Sequence, residues 1–194
     1  MFRLKILIFF IICVAFNSCS KEPINKSTIK EKSLELQVQE AYNEGMESLE
    51  AGDVLFAAKK FNEAEILFPQ AESAPQSALM AAYSYYTQDY YGDAIAELER
   101  FLKVYPTHKD LVYAYYLLAV CYYEQIVDEK KDLRSITKAK KNFNIILRDY
   151  PNTEYAIDAE FKIDLIDDIL AAKEMYLGRY YFDRKKWVAS INRF

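Results

Sequence analysis

Three prolines, Pro69, Pro106 and Pro151, each fall 12 residues after an alanine: Ala57, Ala94 and Ala139. Within each interval the same kinds of residue recur. Phe61, Leu98 and Phe143 stand four positions after the alanine, and Ala64, Phe101 and Ile146 seven positions after it. That spacing makes one apolar stripe of a helix. The proline then ends it, because proline cannot continue the hydrogen-bond ladder. A small residue, Gly45 or Ala82, stands 12 residues before the first two alanines, where it lets two helices of a hairpin approach closely. Such a hairpin cannot bury its own apolar face, so copies must stack. The feature restricts the chain to an all-α solenoid of antiparallel helix hairpins.

The copies resemble tetratricopeptide repeats, whose second helix carries a small residue, an aromatic, a further small or apolar residue and a terminal proline. Tyr85 takes the usual aromatic place on the first helix of the second copy, and Ser48 departs from it in the first. In the third copy Ala119 and Tyr122 play these parts, but Ala119 to Ala139 is 20 residues and the stretch QIVDEKKDLRSIT makes a charged insert. A fourth copy is marked by Gly178 and Tyr181, with Trp187 and Ser190 in its second helix, and runs to Phe194 without a closing proline. An uncapped solenoid exposes an apolar face. The chain is therefore expected to be a fragment of a longer protein, or to have its last helix finished by a partner. Gly52 and Gly92 are expected in turns, and Thr107 with Asp110 fits a capping box. With 17 tyrosines and 12 phenylalanines against 4 glycines and 5 prolines, long helices packed by rings are expected.

The N-terminus is of another kind. Arg3 and Lys5 precede an apolar run of 11 residues, ILIFFIICVAF, too short for a comfortable membrane span and typical of a signal peptide. An anchor helix that stays attached is the alternative. Phe16-Asn17-Ser18-Cys19 resembles a bacterial lipobox, with small Ser18 before the cut and Phe16 where leucine is usual. Cys19 is then the lipidation site, and a multiply acylated cysteine anchors stably. Ser20, rather than aspartate, resembles the enterobacterial signal for the outer membrane. The chain divides into a signal peptide at 1–18, a lipidated flexible tether at 19–35, and a repeat domain of about three and a half repeats at 36–194. The formal net charge of −4 leaves no basic footprint for nucleic acid.

The stretches YPTHKDLVYAYYLLAVCYY (105–123), AKKNFNIILRDYPNTEYAIDA (139–159) and YYFDRKKWVASINRF (180–194), with the charged insert between the first two, resemble the BamD family, also called YfiO or ComL. The resemblance covers roughly residues 41–194; that family usually has five repeats. It implies an outer-membrane lipoprotein facing the periplasm, a non-enzymatic scaffold of the β-barrel assembly machinery. Its implied partners are a BamA-like barrel protein, other assembly-machine lipoproteins and unfolded barrel precursors. Tyr85, Tyr86, Tyr115, Tyr116, Tyr122 and Tyr123 lie on first helices, which line the concave face of such folds. Tyr85 and Tyr122 occupy packing positions. Tyr86, Tyr116 and Tyr123 are the candidates for a precursor-binding groove, with inter-helix packing as the alternative for each. Arg184, Trp187 and Arg193 are the candidate partner-binding residues by the same resemblance, with a solvated face as the alternative for the basic run Arg184-Lys185-Lys186.

No cofactor or metal site is expected beyond the covalent lipid on Cys19. The three cysteines make no disulfide framework. His108, the only histidine, falls in a turn between repeats and suits capping or solvation. Cys121 sits on an apolar helix, where buried packing is the default. A different periplasmic repeat lipoprotein, an adaptor for peptidoglycan enzymes, is the competing function.

Overall fold

A computed structural model describes residues 32–125 and 133–194. Cys19, the signal peptide, the tether up to residue 31 and residues 126–132 of the charged insert lie outside the described residues. The unit Ser33–Phe194 is an all-α solenoid. Its helices are α1 (Leu34–Glu50), α2 (Val54–Leu67), α3 (Ala74–Tyr86), α4 (Tyr91–Val104), α5 (Leu111–Glu124), α6 (Arg134–Asp149), α7 (Glu154–Asp183) and α8 (Trp187–Ile191). The first helix begins two residues ahead of the boundary at 36, because the Ser33 side chain accepts from the Leu36 N–H at 3.3 Å and caps it. Helices pair as α1–α2, α3–α4, α5–α6 and α7–α8, and hairpins join through α2–α3, α4–α5 and α6–α7.

The closing prolines act as the spacing predicts. Phe68, Tyr105 and Tyr150 directly precede them, and each adopts a non-helical conformation that ends its helix. The anchor positions Ala57, Ala94, Ala139, Phe61, Leu98, Phe143, Phe101 and Ile146 are all fully buried. A bidentate ion pair ties the first two hairpins together. Arg100 Nη1 and Nη2 donate to the two Glu65 carboxylate oxygens at 2.8 and 2.7 Å, and the Tyr105 hydroxyl donates to Glu65 Oε1 at 2.6 Å. Glu65 is 5% exposed, and the geometry is the forked one that suits guanidinium.

Three local expectations change. Thr107 and Asp110 form no capping box. His108 N–H donates to the Tyr105 carbonyl and Leu111 N–H to the His108 carbonyl, so tight turns after Pro106 delay α5 to Leu111. Asp110 is then its N-cap, without a side-chain cap bond. Its own N–H donates to His108 Nδ1 at 3.3 Å, and His108 packs edge-on against Phe101. Gly92 is not in a turn but is the second residue of α4. The left-handed position of that connection is Asp89, at φ 62°, while Gly52 does occupy a turn at φ 82°. Finally, the fourth first helix is not of repeat length. It runs unbroken for 30 residues. Ala156, Ala159 and Ile166 in its first half join the core of the third hairpin, and Gly178 meets α8.

Candidate binding face

The groove candidates are set by a short duplication. YSYY (83–86) in α3 and YAYY (113–116) in α5 place tyrosines three residues apart on one helix face. Tyr86 packs against Tyr83 and Tyr91, with ring centroids at 6.4 and 6.1 Å. Tyr113 and Tyr116 both meet Tyr155 of α7, at 6.0 and 5.1 Å. The Tyr116 hydroxyl donates to Asp158 Oδ2 at 2.8 Å, and its ring lies edge-on to buried Phe143. Tyr123 lies two turns along α5 from Tyr116, on the same side, with Lys162 Nζ of α7 4.8 Å from its ring centre.

Tyr86 lies within electrostatic reach of Tyr113 and Tyr116, so the two groups form one half-buried aromatic face, and Tyr123 extends it along α5. Tyr83, Tyr91, Tyr113 and Tyr155 complete it. None of these four is among the candidates of the sequence analysis; the YxxY repeat carries a signal for Tyr83 and Tyr113, but Tyr155 and Tyr91 require the packing of neighbouring helices. Burial raises the hydroxyls of Tyr86, Tyr113 and Tyr116, and for Tyr116 the bond to Asp158 raises it further. These groups remain neutral donors and present ring faces. Tyr122 belongs to the core: it is 5% exposed and donates to Glu99 Oε1 at 2.6 Å, while Lys138 Nζ donates to it at 3.1 Å. Tyr85 is half-buried against the first hairpin.

The line of first helices continues to a cleft of about 360 Å³ between α1 and α3. It combines apolar Val38 and Phe68 with the amides of Gln39, Asn43 and Gln76, and Gln76 donates to the Tyr42 hydroxyl at 3.3 Å. A face of rings, hydroxyls and amides suits an extended polypeptide.

The partner-binding candidates gather at the other end. The Arg184 guanidinium sits 3.9 Å over the Tyr180 ring, and Trp187 is 52% exposed and edge-on to Phe182. Arg193 Nη1 donates to Glu174 Oε2 at 2.8 Å. Val188 and Ile191 are exposed beside them.

Burial pushes the Cys121 thiol from 9.0 up to about 12. Among the described residues no group of His, Cys, Asp and Glu is placed to hold a metal ion, and no helix is long and apolar enough to cross a membrane.

Known proteins resemble this chain in sequence or in fold. The chain is 39% identical over 160 residues to the outer membrane protein assembly factor BamD of Caulobacter vibrioides, covering 82% of this chain and 52% of the relative. It is 40% identical over 153 residues to BamD of Rickettsia prowazekii, covering 79% and 61%. The chain therefore spans about half to three-fifths of the length of these relatives. The Hsp90 co-chaperone Cns1 of Saccharomyces cerevisiae shares the fold, with a TM-score of 0.63 at 18% identity over 80% of this chain and 47% of that one. The family described as YfiO, outer membrane lipoprotein, matches residues 34–194, starting at the first residue of α1. The chain belongs to the YfiO outer membrane lipoprotein family.

Proposed function

We propose that this protein is a lipid-anchored scaffold of outer-membrane β-barrel assembly, held at the periplasmic face through Cys19. The observation that carries the reading is the family match along the whole described solenoid, together with relatives named as outer membrane protein assembly factors. In this reading the protein is not an enzyme and needs no cofactor beyond its lipid. Its work is to hold chains in place. The tyrosine face of α3, α5 and α7, with Tyr86, Tyr116 and Tyr123, receives unfolded barrel precursors. Flat rings at low conformational cost and neutral hydroxyls grip many sequences without reading one. The corner of Arg184, Trp187 and Arg193 docks a BamA-like barrel protein. An exposed tryptophan flanked by arginines has the composition of interface hot spots.

The test is an affinity pulldown of the tagged, lipidated protein from detergent-solubilised envelopes. A BamA-like barrel protein is expected in the eluate, and is expected to be depleted when Trp187→Ala and Arg193→Ala are combined. Recovery of peptidoglycan enzymes without any barrel protein would replace this function with the adaptor role. Depletion of the protein in cells is expected to lower outer-membrane barrels together. Cys19→Ala is expected to release the protein from the membrane fraction.

A further inference from the structure

The first half of α7 carries a surface that the tyrosine face does not use. Ile157, Phe161 and Leu165 repeat at i, i+4 and i+8 and are 64%, 66% and 49% exposed. Ala156, Ala159 and Ile166 of the same turns are buried, so the three large side chains lie on the side turned away from the core. Glu160, Asp164 and Asp168 run beside them at the same spacing, and Glu154 closes the N-terminal end; all four are exposed. No described lysine or arginine is bonded to any of these four carboxylates. Between 154 and 168 the single cation is Lys162, and it sits over the Tyr123 ring on the adjoining side. Asp158 and Asp167 are engaged elsewhere, by Tyr116 and Lys140. A row of like charges at i, i+4 weakens a helix, and an exposed apolar stripe gains nothing from water. Neither feature serves the fold.

We infer that this stripe docks a cationic amphipathic helix of another protein, with aliphatic side chains at i, i+4 spacing and lysines or arginines along one edge. Ridges at i±4 on such a helix fit the grooves beside the Ile157–Phe161–Leu165 ridge. Its basic edge meets Glu160, Asp164 and Asp168, which is the charge complementarity that selects this occupant. A second copy placed two-fold on the stripe sets one carboxylate row against another. An anionic membrane surface meets the same repulsion.

The test measures fluorescence anisotropy of a leucine/lysine amphipathic peptide of about four helical turns, roughly 14 residues, against the 194-residue chain. A leucine/glutamate peptide of the same pattern is the control. The lysine peptide is expected to bind and the glutamate peptide not. Phe161→Ser is expected to weaken binding at least about tenfold, and so is the triple variant Glu160→Gln, Asp164→Asn, Asp168→Asn. Ile66→Ser, at a similarly exposed apolar position on α2, is expected to leave it unchanged, which separates this stripe from exposed apolar side chains in general. All the stripe substitutions are at exposed positions, and Ile157→Ser replaces Phe161→Ser should that variant lose its circular dichroism signal. Absence of binding, equal binding of both peptides, or binding unaffected by either variant overturns the proposal. So does sedimentation showing that the chain self-associates through Phe161.

Discussion

The first and the last hairpins close on the same device. Phe61 follows Gly45 by 16 residues and Phe194 follows Gly178 by 16, and in each case the ring lies where a Cβ on the glycine would be. An added Cβ would stand 2.9 Å from Phe61 Cδ1 and 2.5 Å from Phe194 Cε1. The Ser190 hydroxyl strengthens the last hairpin by donating to the Gly178 carbonyl at 2.9 Å. Yet Phe61 is fully buried and Phe194 is 64% exposed. The difference comes from the neighbours. Phe61 is enclosed by Tyr42, edge-on at 5.2 Å, and by Ala81 of the next hairpin. In the 194-residue chain no described helix covers the far side of Phe194. The motif closes a hairpin, but stacking is what buries it.

The largest contrast should appear when each ring is removed. Phe61→Ala leaves a cavity inside a closed cluster and is expected to cost about 3–5 kcal/mol in urea unfolding. Phe194→Ala removes a mostly hydrated ring and is expected to cost under about 1 kcal/mol. Equal losses at the two sites would mean that stacking contributes little to burial.

This contrast also marks what could be read in the sequence. The three hairpin units, their buried anchors and the closing prolines are local patterns with a fixed period, so they were legible. The Phe194–Gly178 contact follows the same period and was legible in principle. Failures came where distant geometry overrides local preference. Thr107 has the spacing of a cap, but the turns after Pro106 carry the chain past it before α5 begins. Gly92 looks like a turn residue, but Asp89 takes the left-handed position instead. The length of α7 was legible in principle, since no glycine or proline interrupts the run before Gly178; that its two halves serve different hairpins was not, because only stacking divides them. Of the candidate face, Tyr86 and Tyr116 were legible from first-helix position. Tyr155 and Asp158 were not, because a stacked neighbour supplies them.

The ion pairs differ as the hairpins do. Arg100, at the joint between the first two hairpins, reaches a carboxylate whose side chain is 7% exposed, whereas the Arg193–Glu174 pair inside the last hairpin is 43% exposed on both sides. Arg100→Met strands Glu65 with only the Tyr105 hydroxyl as a partner. It is expected to cost about 2–4 kcal/mol, below the full penalty for a broken buried pair because the Arg100 side chain is itself 39% exposed. Arg193→Met is expected to cost much less, because that pair is open to water. Salt should reduce the second loss and barely touch the first. If 1 M salt erased the Arg100 effect, that joint would have to be as open as the Arg193–Glu174 pair.

Smaller still, and opposite in sign, are the glycine substitutions. Alanine is favoured over glycine inside a helix by about 1 kcal/mol. At Gly178 the exposed Phe194 ring can swing aside, so Gly178→Ala is expected to be neutral or stabilising by up to about 1 kcal/mol. At Gly45 the enclosed Phe61 ring cannot move without disturbing Tyr42 and Ala57, so Gly45→Ala is expected to be destabilising by about 1 kcal/mol net. Thermal unfolding of the two variants side by side checks the signs. Destabilisation at both would show that the last hairpin is as tightly enclosed as the first.

Between these ends the interior can be probed by a single thiol. Cys121 is fully buried in the cluster shared by the second and third hairpins, and burial holds its thiol at about 12 against 9.0 when unfolded. The unfolded chain therefore releases this proton at lower pH than the folded one. Stability from this source is complete below pH 9 and declines as pH rises toward 12. The loss at pH 10 relative to pH 8 is expected to be about 1 kcal/mol. Tyr113 and Tyr116, whose hydroxyls are also raised, add to the decline above pH 10. Replacing Cys121 by alanine removes the thiol's share but not the tyrosines'. Urea unfolding of the wild type and Cys121→Ala at pH 8 and pH 10 should then show the variant losing less stability between the two pH values. Identical losses would mean that water reaches Cys121 in the folded chain, and that the middle of the solenoid is no better enclosed than its end.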